Sequence, residues 1–138
     1  MKLVVDANVV ISALISDSKT RELLVTLEPD LLTPEVVHDE IERYEDLIVE
    51  KSGMDLDRVR HFIDLLFDYI ETVPASEFHH HIDQADSAIG ETDPDDVLYV
   101  ACALGCEAAI WSDDSDFNEQ DLVSVFTTGE VIGSFDTV

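Results

Sequence analysis

Short apolar runs alternate along this chain with longer stretches in which apolar residues recur at the spacing of a helix face. The short runs predict strands at residues 2–5, 31–32, 71–73, 108–111 and 122–126. The longer stretches predict helices at residues 9–15, 18–27, 34–53, 55–70, 76–90, 94–104 and 130–135. Strands that alternate with helices favour a mostly parallel sheet covered on both faces. The predicted fold class is therefore α/β, a three-layer α/β/α sandwich.

Proline marks two of the predicted helix starts. Thr33-Pro34 and Asp93-Pro94 each place a capping residue directly before a proline, which fits the first position of a helix. Gly105 is expected to end the second of these helices, because glycine readily adopts the left-handed conformation found there.

Length and residue types indicate a globular protein of one domain. A chain of 138 residues can form one core without disulfides or structural metals, so residues 1–138 are predicted to be a single domain. Hydrophobic residues make up 46% of it, unlike an acidic tail. Cys102 and Cys106 have neither disulfide-framework nor zinc-ribbon spacing, which favours a reducing, cytoplasmic location. The apolar runs are shorter than the ~20 residues that span a bilayer, so no membrane segment is expected.

The net charge changes the interpretation of every single acid. It is −25, from 32 Asp and Glu against 7 Lys and Arg, and the acids are spread along the whole chain. Such a surface repels itself in dilute buffer and is tolerated where salt screens it. The Debye length is about 3 Å at 1 M salt and about 8 Å at physiological ionic strength. We therefore expect the cytosol of an extreme halophile, and only acids at structurally special places indicate a site.

Four carboxylates occupy such places. Asp6 ends the first strand, Glu40 lies in an amphipathic helix, Asp96 opens a later helix, and Asp114 follows the strand that ends at Trp111. Carboxylates at strand ends and helix starts converge at one edge of a parallel sheet. Like charges held close together repel unless a cation lies between them, and oxygen ligands suit Mg²⁺ or Mn²⁺. The pattern predicts a metal-dependent phosphoryl-transfer site.

The four segments that carry these acids resemble the motifs of the PIN-domain nucleases. Residues 4–14 are similar to the first motif, a strand ending in Asp that continues into a helix. Residues 33–41 resemble the second motif, and residues 93–104 the third, in which the acid precedes a small-residue helix. Residues 109–117 resemble the fourth, with Ser112 where the family usually has Thr. The resemblance covers nearly the whole chain.

The resemblance implies a divalent-metal-dependent endoribonuclease that uses one or two Mg²⁺ or Mn²⁺ ions on RNA. The residues it implies are Asp6, Glu40, Asp96 and Asp114 as ligands, Asp116 as an accessory ligand, and Asn8, Ser112 and Asp93 in support. The ions would lower the pKa of a water and neutralise charge on the scissile phosphate. Many single-domain members of this size are toxins, so an antitoxin protein is an expected partner.

Other interpretations stay open for several of these residues. Asp6 and Asp93 also suit helix caps, and turn or cap duty explains Asn8 and Ser112 equally well. A non-catalytic PIN-like module that binds RNA or protein is the alternative function. The acidic charge is unusual for a nucleic-acid binder, although Arg43, Arg58 and Arg60 could form a basic patch. The apolar residues of the helical section 34–70 are also consistent with a homodimer.

Overall fold

The computed structural model describes residues 1–15, 18–91 and 94–135. Five strands form one sheet: β1 (Lys2–Val5), β2 (Asp30–Pro34), β3 (Ile70–Val73), β4 (Ala109–Trp111) and β5 (Val125–Phe126). Their order is β3-β2-β1-β4-β5, and each pair of neighbours is parallel. The prediction of a mostly parallel central sheet is therefore confirmed.

Helices cover both faces of this sheet. They are α1 (Ala7–Ile15), α2 (Ser18–Thr26), α3 (Val36–Arg43), α4 (Glu45–Ser52), α5 (Leu56–Leu66), α6 (Ile82–Ile89), α7 (Pro94–Cys106) and α8 (Thr128–Phe135). Short 3₁₀ helices lie at Ala75–Glu77, His79–His81 and Ser115–Glu119. One layer is built around α1, which packs with α2 to α5, and the other around α7, which packs on β1, β2 and β4 and against α6. The predicted α/β/α arrangement is confirmed.

Apart from Lys2 at its start, β1 is apolar, and β4 is apolar throughout, because both faces of these strands are covered. Leu3, Val4 and Val5 in β1 are fully buried, as are Ile110 and Trp111 in β4. Burying one such aliphatic side chain contributes roughly 1.5–3 kcal/mol. These two buried strands fix the positions of the polar residues that directly follow them, Asp6 and Ser112.

The prediction that Thr33 caps a helix is wrong. Thr33 and Pro34 belong to β2, and α3 begins at Val36 with Glu35 in the capping position. The hydroxyl of Thr33 donates to the backbone carbonyl of Val5 at 3.0 Å, so it ties β2 to β1 instead of capping a helix. Pro34 is the last residue of this strand, and the backbone N–H of Glu35 that follows it donates to the carbonyl of Val73 at 3.1 Å.

The predicted helix over residues 34–53 is in fact two helices. The helical conformation is interrupted at Tyr44, which has φ −102° and ψ 9°, and α4 begins directly afterwards. The apolar spacing runs through the break because Ile41 and Ile48 are buried on either side of it. Asp93 lies outside the described residues, and α7 begins at Pro94, as the proline predicted.

Gly105 does not end its helix. The helix α7 continues to Cys106, and Glu107 adopts the left-handed conformation with φ 55°. A Cβ added at Gly105 would lie 2.9 Å from the Cβ of Phe78, so this glycine allows α7 to pack closely on the chain at Glu77 and Phe78. No helix within the described ranges combines the length and apolar character needed to cross a membrane.

The order of the strands creates a switch point beside β1. The chain adds β2 and β3 on one side of β1 and then crosses to add β4 and β5 on the other. Ligands of open α/β sheets bind outside the carboxyl ends of the strands at such a point. Asp6 follows β1 directly and Ser112 follows β4, so the sequence places both polar residues there.

Candidate metal centre

A buried carboxylate and a buried hydroxyl meet at the switch point. The hydroxyl of Ser112 donates to Asp6 Oδ2 at 2.7 Å, a length typical of a charge-assisted hydrogen bond. Asp6 is 3% exposed and Ser112 is 1% exposed. The neighbouring strands fix the pair, because the backbone N–H of Asp6 donates to the carbonyl of Trp111 at 3.0 Å.

A cluster of three carboxylates lies next to this pair. Side-chain oxygens of Asp96, Asp114 and Asp116 are all within 4.8 Å of one another. Asp96 comes from the first turn of α7, where the helix dipole favours negative charge. The backbone N–H of Asp114 donates to Ser112 Oγ at 3.0 Å, and Asp114 Oδ1 accepts from the N–H of Asp116 at 2.9 Å. Ser112 therefore connects Asp6 to the cluster.

Glu40 reaches the same edge of the sheet from α3. Its Oε1 accepts a hydrogen bond of 3.0 Å from the hydroxyl of Tyr99, which lies in α7 three residues after Asp96. Glu40 is half-buried, whereas Tyr99 is fully buried. The four acids predicted from the sequence thus come from four separate segments, and the fold brings them to one edge.

The surroundings of Asp6 have opposing effects on the pKa of its carboxyl group. Burial raises the pKa of Asp6 above its ordinary value, and the charge of Asp114 raises it further. The hydrogen bond from Ser112 and those from the backbone N–H groups of Asn8 and Ala7 lower it. A buried carboxylate held by several donors beside a second carboxylate is an arrangement that a cation would stabilise.

Glu40 shows the same conflict more strongly. Burial raises the pKa of Glu40 to about 7, and the charges of Asp95 and Asp6 add to the effect. The hydrogen bond from Tyr99 and the charge of Arg43 lower it. Burial and the nearby carboxylates also raise the pKa of Tyr99, so its phenol stays protonated and acts as the donor. Perturbed groups of this kind cluster at functional sites.

The expected basic patch is largely neutralised by carboxylates. Arg43 pairs with Asp95 at 3.2 Å, which links α3 to α7 beside Glu40 and Asp96. Arg60 pairs with Glu45 through two hydrogen bonds, of 3.2 and 3.0 Å. Two of the three arginines are thus committed within the protein.

The residues predicted to support the ligands divide into different roles. Ser112 contacts both Asp6 and Asp114, as described. Asn8 is exposed, and its contact with Asp6 is made by its backbone N–H. Asp93 lies outside the described residues. The neighbouring Asp113 is exposed and caps α8 by accepting from the backbone N–H and the hydroxyl of Thr128, each at 2.7 Å.

The hydrogen bond from Tyr99 to Glu40 is the contact at this site that the sequence analysis did not predict. A signal existed, because Tyr99 lies three residues after Asp96 and such residues share a helix face. A large polar-tipped ring in a helix whose buried neighbours are Val100, Ala101 and Ala103 is also unusual. The hydrogen bond to Glu40 could not be foreseen, because the relative placement of α3 and α7 is set by tertiary packing.

The donor set fits a divalent cation. Two oxygens bound to one ion at about 2.0–2.6 Å lie at most about 5 Å apart, and the separations within the cluster of Asp96, Asp114 and Asp116 are no larger than 4.8 Å. All of the ligands are carboxylates, which suit Mg²⁺ and Mn²⁺ better than softer metals. A cation at this position would relieve the repulsion among the acids.

Comparison with known proteins agrees with the observed fold. The sequence model of the PIN-domain family matches residues 4–131, so this chain belongs to that family. A solved structure of VapBC-1 from nontypeable Haemophilus influenzae is similar, with a TM-score of 0.67 and 13% sequence identity. The likeness covers 92% of this chain and 98% of that chain, and at this identity it shows the fold alone. The sequence has no significant match among curated proteins.

Proposed function

We propose that this protein is a divalent-metal-dependent endoribonuclease that hydrolyses RNA phosphodiester bonds. The observation that carries the proposal is the cluster of Asp96, Asp114 and Asp116, with oxygens within 4.8 Å, beside the buried pair of Asp6 and Ser112. Membership of the PIN-domain family supports it, because PIN domains are generally nucleases. A non-catalytic binding module would not need closely spaced acids at all of these positions.

The roles of the residues follow from where they lie. Asp6, Glu40, Asp96 and Asp114 would hold one or two Mg²⁺ or Mn²⁺ ions, with Asp116 as an accessory ligand. When bound, the ions supply Lewis acidity toward the scissile phosphate and toward a nucleophilic water. Ser112 orients Asp6 and the backbone of Asp114 at the same time, so that one hydroxyl keeps ligands from two segments in register.

The acidic surface sets the conditions in which RNA is bound. A net charge of −25 repels a polyanion at low ionic strength, but screening within about 3 Å at molar salt removes most of this long-range repulsion. Short-range contact between phosphate and a cation held by the site would then carry the affinity. We therefore propose that the protein acts in the cytoplasm of a halophile, as one domain over residues 1–138.

An antitoxin protein is the partner we propose. The similarity to the solved structure of VapBC-1 supports such a partner, as does the frequency of toxins among single-domain proteins that resemble this chain. The helical section 34–70 carries the exposed apolar side chains Tyr44, Leu65 and Tyr69, which are 47%, 46% and 54% exposed. These side chains offer contacts to the antitoxin or to a second copy of the chain. A monomeric mass in light scattering at high salt would exclude the homodimer.

The direct test is cleavage of a mixed-sequence RNA by the purified protein in molar KCl. We expect cleavage within the RNA chain with Mn²⁺, none with excess chelator, and restored cleavage when Mn²⁺ is added back. RNA that is bound and released uncut in saturating Mn²⁺ would favour the non-catalytic module. Single-stranded DNA in the same assay shows whether the 2′-hydroxyl is needed.

A further inference from the structure

One buried hydroxyl connects two helices at the carboxyl edge of the sheet. Tyr99 in α7 donates from its phenol to Glu40 Oε1 in α3 at 3.0 Å. The charge of Asp6, directly after β1, also raises the pKa of this phenol, so the hydroxyl lies near the end of that strand. The hydroxyl thus lies where the segments that carry Asp6, Glu40 and Asp96 meet.

The ring that carries this hydroxyl is held firmly. Tyr99 is fully buried and packs edge-on against Phe117, with ring centroids 6.3 Å apart and an interplanar angle of 80°. Phe117 is fully buried too, in the 3₁₀ helix that contains Asp116. Glu40, in contrast, is half-buried on a side chain with several rotatable bonds, so that a fixed partner is needed to select one rotamer.

We propose that Tyr99 is a positioning residue that holds Glu40 in the orientation required to share a divalent cation with Asp6, Asp96 and Asp114. The inference rests on the proposed function and assigns a role to a residue outside the ligand set. Because Oε1 accepts from Tyr99, the other carboxylate oxygen of Glu40 would remain available to a cation. Residues that orient ligands in this way typically change metal affinity or activity by 10–100-fold when they are replaced.

A purely structural role does not account for the hydroxyl. The apolar ring alone would fill the space beside Phe117, and phenylalanine has the same ring. A buried hydroxyl costs free energy unless it is hydrogen-bonded, and its partner here is Glu40. The hydroxyl is therefore placed for Glu40, and its removal should affect cation binding more than folding.

The first test is Tyr99→Phe, which removes one oxygen and keeps the ring. We expect Mn²⁺ binding, measured by calorimetry without RNA, to weaken about tenfold. Cleavage should require about tenfold more Mn²⁺ and should largely recover at saturation. The matched controls are Tyr44→Phe and Tyr69→Phe, which remove the same oxygen from exposed rings and should bind Mn²⁺ as the wild type does. Wild-type Mn²⁺ affinity in a folded Tyr99→Phe protein overturns the proposal.

A double-mutant cycle separates positioning from structural damage. In a Glu40→Gln background Tyr99→Phe should weaken Mn²⁺ binding by less than about twofold, because the group that it positions no longer binds the cation well. An equal loss in both backgrounds contradicts the role. If Tyr99→Phe does not fold, Glu40→Asp serves instead, because it keeps the charge but withdraws the carboxylate from the phenol. Wild-type Mn²⁺ affinity in Glu40→Asp also overturns the proposal.

The outcomes distinguish this inference from the proposed function. A wild-type protein that binds Mn²⁺ in a Tyr99-dependent way but cuts no RNA contradicts the endoribonuclease and supports the positioning role. A wild-type protein that cuts RNA, with unchanged Mn²⁺ dependence in Tyr99→Phe, contradicts the positioning role alone. A wild-type protein that binds no Mn²⁺ overturns both.

Discussion

Charged residues differ in exposure and in the sign of their neighbours between the two ends of the sheet. At the amino ends, Lys2 and Asp30 are exposed and face each other in the register of β1 and β2, so that opposite charges are neighbours in solvent. At the carboxyl ends, Asp6 is 3% exposed and Asp96 8% exposed, and both lie beside further acids. Only the amino end is arranged as stability alone would require.

The contrast shows which acids of an acidic protein carry information. Of the 32 acidic residues most are exposed to solvent, where a charge costs little. Burying Asp6 and Asp96 near other carboxylates costs stability in the absence of a cation. Proteins retain such costs where function needs them, and the predictions below test the difference between the two ends.

The largest effect is expected from comparing one acid at each end. Asp6→Asn removes a ligand and should reduce Mn²⁺-dependent cleavage by more than about 100-fold, beyond the range seen for supporting residues. Its metal-free melting temperature should rise or stay level, because a buried charge is lost. Asp30→Asn, at the amino end, should keep cleavage within about twofold of the wild type. Equal losses in the two variants would remove the distinction between the ends.

A smaller loss is expected for Ser112→Ala. The change leaves Asp6 Oδ2 and the N–H of Asp114 without their partner, so we expect about 10–100-fold weaker activity and roughly 1–3 kcal/mol less stability. Ser112→Thr keeps the hydroxyl and should restore most of both. Urea unfolding followed through Trp111, the single tryptophan, measures the stability. A threonine variant as impaired as the alanine variant would contradict the role of the hydroxyl.

Salt should stabilise the molecule as a whole. At a net charge of −25 the compact state concentrates repulsion that molar KCl screens, whereas exposed ion pairs such as Arg60 and Glu45 lose only a little. Thermal melts from low to molar KCl are expected to show a rising melting temperature. A flat or falling series would oppose the halophilic interpretation.

The smallest effect concerns pH and Glu40. Its pKa is raised from 4.5 to about 7 in the folded protein, so the folded state holds a proton that the unfolded state has lost. Without metal, stability should therefore fall as the pH rises from about 4.5 to about 7, and the loss is complete above that. Glu40→Gln should flatten this part of a melting-temperature profile between pH 5 and 8. Saturating Mn²⁺ should reverse the slope, because the cation favours the charged carboxylate.

Sequence reasoning predicted the elements of the fold where one local pattern dominates. The run Leu3-Val4-Val5 indicates a buried strand in any context, and Pro94 marks the start of α7 correctly. The roles of Thr33 and Gly105 were wrong, because the same residue types also suit a strand end and a close helix contact. Local propensity cannot distinguish these uses, since the deciding neighbour is distant in the chain.

The candidate site was predictable in part for the same reason. Asp6 and Asp114 follow strands, so their convergence with Asp96 could be inferred from parallel topology. The bond between Ser112 and Asp6 spans 106 positions, and that between Tyr99 and Glu40 spans 59. Such pairs depend on the packing of whole layers, which a single sequence does not specify.

The most direct test of the site compares Asp96→Asn with Asp95→Asn in adjacent positions of α7. Asp96 belongs to the carboxylate cluster, whereas Asp95 pairs with Arg43 at the surface. With saturating Mn²⁺ and a mixed RNA substrate, Asp96→Asn should lose most cleavage, because the amide lacks the anionic oxygen that hard cations prefer. Asp95→Asn should cleave nearly as the wild type does. Equal activity in the two variants would contradict the metal-dependent nuclease site.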